Sequence, residues 1–173
     1  MKQSVKDALL KQRLLLDKLS KKLNMAFLPV VNKKTIAGYL TCKGKVIPIE
    51  AKVRRCNYGA FDSTLLEQKK VNKLVSTFNR NQLTTVWYVE FFEDNKAIIY
   101  DLPNLPMEWC TESCNAVTLE TGKVSKKDKT VTFVNYRLGT LVDLTDTPQT
   151  FTIRTETYDI NEKEVKVTVH PIF

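Results

Sequence analysis

The sequence predicts a mixed α/β fold: a mixed central sheet flanked by helices, with a β-rich C-terminal extension. Three observations lead there. An amphipathic helical stretch at residues 4–23 opens the chain. Two β-rich runs meet at Lys43-Gly44-Lys45. A second helical stretch, residues 64–79, precedes two more strand patterns at 85–92 and 97–102.

The first helix carries an apolar stripe of Val5, Leu9, Leu16, Leu19 and Leu23, with lysines and Arg13 around the rest. Ser4 is its expected cap, with Asp7 completing a capping-box-like pair, and Asn24 ends it. Residues 26–31 read as a short strand. Residues 35–42 and 46–53 form a hairpin, because Gly44 permits a tight turn. Residues 54–61 read as a loop, and Asp62-Ser63-Thr64 offers cap chemistry to the second helix. Trp87, Val89 and Phe91 alternate with Tyr88, Glu90 and Phe92, as in a strand buried on both faces. After Pro103 the texture turns irregular around Trp109 and the cysteines, and the Lys123 to Lys129 segment reads as punctuation. Strands are then expected at about 115–120, 130–136, 138–143, 149–158 and 163–170. The organisation is thus a core over 1–104 and an extension over 105–173.

Composition bounds the function. Five Gly and six Pro in 173 residues exclude collagen-like and low-complexity chains. No apolar run approaches the roughly 18 residues of a membrane span, so no membrane association is expected. No secretory signal pattern opens the chain, which predicts cytoplasm or nucleoid; a viral origin is compatible with the same reading. Charge is unevenly divided. Residues 1–80 hold 18 Lys+Arg against 5 Asp+Glu, a net of +13, whereas residues 81–173 hold 9 against 14, a net of −5. A basic half attracts polyanions, and DNA is the partner this favours. Cysteines 42, 56, 110 and 114 are expected to be reduced thiols, and structural zinc is not expected from one C-x3-C pair. The single histidine, His170, argues against a His-dependent nucleophile.

The chemistry-bearing phrase is Gly44-Lys-Val-Ile-Pro-Ile-Glu50-Ala51-Lys52. Strand side chains alternate faces, so Glu50 and Lys52 emerge together. Two charges on one face of an apolar strand must pair, reach water or hold something. A divalent cation suits Glu50, with the Ala51 carbonyl as a further oxygen ligand. Lys52 then orients water or stabilises charge developing on a phosphate. The plain alternative is a salt bridge at a sheet edge.

With its order of helix, hairpin, helix, strand and strand, the chain resembles the PD-(D/E)XK nuclease superfamily. The segment Tyr39-Leu-Thr-Cys-Lys-Gly-Lys-Val-Ile-Pro-Ile-Glu50-Ala-Lys52 is most similar to RecU-type Holliday-junction resolvases and related phage endonucleases. The resemblance covers about residues 1–104. It implies a restriction-endonuclease-like sheet, Mg²⁺ or Mn²⁺ if catalytic, and a homodimer acting on DNA. It also implies a role for Gln68 in positioning water or phosphate. The family's first metal-binding Asp would stand just before Tyr39, where this chain has Gly38. Either the chain is an inactive DNA-binding relative, or Asp17 or Asp62 supplies the missing carboxylate, or the Asp has been substituted by Gly in the sequence at hand.

For nucleic acid, the candidate phosphate contacts are Lys43, Lys45, Arg54, Arg55, Lys69, Lys70, Lys73 and Arg80. Tyr58 and Phe61 are candidates for stacking on bases or wedging a junction, against capping the sheet edge. The functional expectation is a metal-dependent endonuclease on duplex or structured DNA, with a junction resolvase as its specific form. The rivals are a non-catalytic DNA-binding module and an interaction protein whose basic half binds an acidic partner.

Overall fold

The computed structural model describes residues 3–30, 36–80, 85–117 and 124–145. Strands expected at 149–158 and 163–170, and His170, lie outside them. No helix among the described residues is long and apolar enough to cross a membrane.

Helix α1 spans Gln3–Lys22. It already includes Ser4, which therefore lies inside the helix rather than at its cap. Leu16 and Leu19 are fully buried, whereas Leu9, Leu10 and Leu14 on the first turns are exposed. The predicted stop holds: Asn24 is left-handed at φ 53, Asn24 N–H donates to Lys21 O and Met25 N–H to Ser20 O. Those two bonds form a Schellman closure.

Strand β1, Ala26–Pro29, pairs antiparallel with β2, Gly38–Cys42. β2 turns into β3, Lys45–Val53, with Cys42 opposite Lys45. The turn therefore has two residues, Lys43 at φ 47 and Gly44 at φ 78. Positive φ at both central positions is the type I′ signature that matches strand twist.

The second helix is shorter than the sequence predicts. Residues 63–67 form strand β4 (Ser63–Glu67), and α2 runs over Gln68–Arg80. Thr64 and Leu66 are buried while Ser63, Leu65 and Glu67 are half-buried, a period of two rather than 3.6. β4 pairs with a distant strand, and that tertiary pairing overrides the local helical pattern. Strands β5, Trp87–Phe91, and β6, Lys96–Asp101, follow, joined through left-handed Asn95. The cysteine-bearing stretch is not irregular: it is β7, Cys110–Val117. Residues 124–129 likewise lie within β8, Val124–Asn135. Lys126 and Lys127 are exposed there, and such charged side chains hide the strand pattern from a hydropathy reading. A 3-10 turn, Tyr136–Leu138, leads into β9, Thr140–Asp143.

The described strands form two sheets. The larger is mixed, with order β1-β2-β3-β5-β6-β9, and the smaller has order β4-β8-β7. Among the described strands of the larger sheet, β3 and β5 run parallel and the other neighbours antiparallel. Strands beyond residue 104 pair with both halves of the earlier chain: β9 with β6 and β8 with β4. One core lies between α1 and the large sheet, with Leu16, Leu19, Leu40, Ile49, Ala51 and Phe91. The other lies under α2 and the small sheet, with Leu66, Leu74, Tyr88, Ile98, Tyr100 and Val134. Ile47, Ile49 and Ala51 of β3 face α1, so Glu50, Lys52 and Arg54 face the other layer.

Candidate functional site

Glu50 and Lys52 on β3 and Arg54, the residue just after it, stand in a row, successive members about 7 Å apart. β2 stops pairing at Gly38 opposite Ile49, so β3 has no β2 partner beside Glu50 and Lys52. On the other side β5 continues, with Glu50 beside Tyr88 and Lys52 beside Glu90. Glu50 and Lys52 thus lie just past the end of the β2–β3 ladder, where Ala37 N–H still donates to Ile49 O at 2.8 Å.

Burial pushes the Glu50 carboxyl up to about 7, and the Lys70 ammonium only partly offsets this. Lys52 is exposed, yet partial burial and then the Arg54 charge lower its pKa, with Glu90 opposing. A carboxyl that ionises reluctantly thus stands one same-face step from an ammonium whose pKa is lowered. Perturbation of both groups marks a candidate place for proton and cation chemistry.

Sequence reading missed two carboxylates. Glu67 ends β4, 3.0 Å from the Lys129 ammonium and 3.3 Å from that of Lys70. Burial raises its pKa, but the Lys129 hydrogen bond and the two lysine charges outweigh burial and hold it low. Lys70 acts on Glu50, Lys52 and Glu67 alike, so these four groups share one field. Glu67 was hidden by the helix expected to contain it. The second is Glu90, which is completely buried. Arg54 donates to Glu90 and to the Thr64 hydroxyl, and Thr64 in turn donates to Glu90 at 2.6 Å. A lone Glu in Trp87-Tyr-Val-Glu90-Phe-Phe92 was the available signal.

The other expected residues scatter. Gln68 is the first residue of α2, half-buried and adjacent to Glu67. The Ala51 carbonyl accepts a hydrogen bond from the Gln12 side chain of α1, which occupies it. Asp17 lies on α1, across the sheet from Glu50, and pairs with Lys21 at 2.7 Å. Asp62 is exposed in the loop before β4, where its carbonyl accepts from Tyr136 N–H at 3.0 Å. Neither Asp joins Glu50. Arg54 is engaged internally rather than presented to a ligand phosphate. Arg55, Lys69, Lys70 and Lys73 are exposed, the last three along α2, and Arg80 is its final residue. Lys43 and Lys45 sit at the hairpin turn, about 17 Å from Glu50 for five strand residues. Tyr58 is not available for stacking on DNA. Its ring lies 5.7 Å from Phe92, edge-on, and 5.9 Å from Tyr136, stacked, with Lys96 over it at 5.4 Å. Phe61 does remain exposed.

Gly38 faces the wrong layer to supply the missing carboxylate. It pairs with Ile49 and shares its side of the sheet with Leu40, toward α1. A Cβ there would meet Leu28 O and a Phe27 ring atom, each at 2.5 Å. Gly38→Asp is therefore expected to destabilise the protein by about 1–3 kcal/mol or more without improving cation binding. Thermal unfolding with and without Mg²⁺ checks both halves.

The four cysteines are free thiols. Cys110 and Cys114 stand four residues apart on one strand, roughly 13 Å, too far to share a tetrahedral metal. Among the described residues no three His, Cys, Asp or Glu side chains gather to hold a metal ion.

The molecule so defined is a mixed α/β protein with Glu50 and Lys52 on one face of β3 in its central sheet. No family model matches the sequence, and no match was found among curated proteins. Among solved structures it is similar to Hjc, a Holliday junction resolvase of the archaeal hyperthermophile Archaeoglobus fulgidus. The likeness is 15% identity over 75% of this chain and 93% of that chain, with a TM-score of 0.47.

Proposed function

We propose that this protein is a DNA-processing nuclease, a metal-dependent phosphodiesterase acting on duplex or structured DNA. The observation that carries the reading is the placement of Glu50, raised to about 7, one same-face step from Lys52, lowered, on β3 past the end of the β2 ladder. The basic half of the chain, at +13 over residues 1–80, supplies attraction for the phosphate backbone.

The donor set fits a cation shared with the substrate rather than a resident one. Glu50 gives one carboxylate, and its raised pKa marks an anion with too little counter-charge. Mg²⁺ keeps several waters and is commonly held by one or two carboxylates plus substrate phosphates. When bound, such a cation supplies Lewis acidity at a phosphoryl oxygen and an activated water. Glu50 must lose its proton to take part. Lys52, beside it, holds charge against the phosphoryl group as negative charge develops. Gln68 and Lys70, at the start of α2, position the phosphate from the facing side. The symmetric homodimer implied by two-strand cutting belongs to the same proposal.

A second reading, a DNA-binding module without catalysis, is favoured by one observation: Glu67 is held by two lysines and does not stand free to complete a metal site. End-labelled duplex and four-way junction, incubated with Mg²⁺, Mn²⁺ or EDTA, separate the two. Metal-dependent cleavage is the expected result. Binding without cleavage in any metal supports the second reading, and no binding at low salt overturns both. In the binding limb, Lys69→Ala with Arg55→Ala should reduce the slope of log affinity against log salt by about 2, one for each phosphate that the variant no longer neutralises.

A further inference from the structure

A second recess opens next to Arg54, at the far end of the Glu50–Lys52–Arg54 row. It encloses about 420 Å³ between the loop before β4, β4 itself and β8. Its walls include Phe61, 65% exposed, and Phe133, 54% exposed, with Tyr136 and Thr64 deeper in. Large rings this exposed on two different elements around one recess are a feature of binding surfaces.

The polar groups narrow the ligand. Arg54 lines the recess, and its Nε is buried without a hydrogen-bond partner among the described residues. Asp62 adds an exposed carboxylate at the rim, and Ser63 and Thr64 add hydroxyls. Arg54 is already paired with Glu90 and the Asp62 carboxylate repels anions, so the recess does not favour a phosphate. An aliphatic group would cover the rings and leave these polar walls without partners. A neutral, flat ligand with donors and acceptors on its edge satisfies both the rings and the polar groups.

We propose that this recess receives one nucleobase unstacked from DNA, its faces against Phe61 and Phe133 and its edge toward Arg54 and Asp62. The proposal rests on the DNA-processing reading and extends it to substrate choice. Arg54 is one same-face step beyond Lys52, so a strand with a phosphate at Glu50 and Lys52 brings a neighbouring base to the recess. Extrusion costs least where the base is already unpaired, which makes bulges, mismatches and branch points the favoured substrates.

The full chain is titrated with matched duplex and with the same duplex carrying one bulged 2-aminopurine, in EDTA. The expected result is tighter binding to the bulge, by about tenfold, with quenching of 2-aminopurine fluorescence by ring stacking. Phe61→Ala and Phe133→Ala should each remove most of that preference and the quenching, leaving matched-duplex affinity within about twofold. Both rings are exposed, so an unchanged circular dichroism spectrum confirms that the variants fold. Equal affinity for the two DNAs, or a preference untouched by both variants, overturns the nucleobase site while leaving the DNA reading intact. Absence of binding to either DNA at low salt overturns the DNA reading and the site with it.

Discussion

Glu50→Gln is expected to reduce Mg²⁺-dependent DNA cleavage by roughly a hundredfold or more, and Lys52→Ala by a comparable factor. Matched-duplex binding in EDTA should change little in Glu50→Gln, whereas Lys52→Ala removes one positive charge of the basic half and should weaken binding modestly. The pH dependence gives the loss its mechanism. Glu50 must be ionised to attract a cation, and its carboxyl stays protonated up to about 7. The wild-type rate should therefore climb close to tenfold per pH unit below 7 and level off above it. The same shift acts on stability with a fixed sign. The folded pKa lies above the unfolded value, so the folded state binds the extra proton. The resulting stabilisation is complete below about 4.5, the ordinary carboxyl value, and is lost as pH rises through about 7. Glu50→Gln has no such loss. Melting temperatures measured in EDTA should show the variant gaining on the wild type by several degrees between pH 5 and pH 8. A constant difference across that range contradicts the assignment of the raised pKa to Glu50.

Arg54→Ala or Glu90→Ala alone is expected to destabilise the protein by about 3–5 kcal/mol, which is roughly 6–20 °C in melting temperature. Glu90 is fully buried and Arg54 is only 21% exposed on its side chain, so either truncation leaves the other charge buried and uncompensated. Thr64 cannot compensate, since its hydroxyl is a single dipole donating to the same Glu90 oxygen. The double variant Arg54→Met/Glu90→Leu removes both charges and fills the space, and should be more stable than either single variant. Thermal unfolding followed by circular dichroism reads all four proteins. Additive losses in a double-truncation control, Arg54→Ala/Glu90→Ala, would show that the two residues do not form a coupled pair.

Much of this architecture is legible before any coordinates. α1 announces itself by its apolar stripe and the Asn24 stop, and the hairpin by Gly44. The parity of Glu50 and Lys52 follows from strand alternation alone. What stays hidden depends on pairing across long sequence separations. Thr64 and Leu66 are buried only because β4 meets β8, where Leu65 pairs with Phe133. Locally, Leu65, Leu66, Val71 and Leu74 fit a helix, and that reading concealed Glu67 as a site neighbour. The hairpin shows how a single residue of register decides a face. A three-residue turn at Lys43-Gly44-Lys45 would set residue 38 opposite Glu50. The two-residue turn sets it opposite Ile49, and Gly38 moves to the α1 side. Arg54 and Tyr58 carry the chemistry of DNA contacts in sequence, but Glu90, Phe92 and Tyr136 claim them, and none of these is adjacent in the chain.

The central claim is that Glu50 is an under-compensated carboxylate that takes a cation together with DNA phosphate. The direct measurement is an NMR pH titration of ¹³C-labelled glutamate side chains, with Glu50→Gln to assign the resonance. Glu50 should titrate near 7 in the free protein. It should move down clearly when Mg²⁺ and DNA are added together, and much less with Mg²⁺ alone. A Glu50 that titrates at the same pH with and without both additions would contradict the claim.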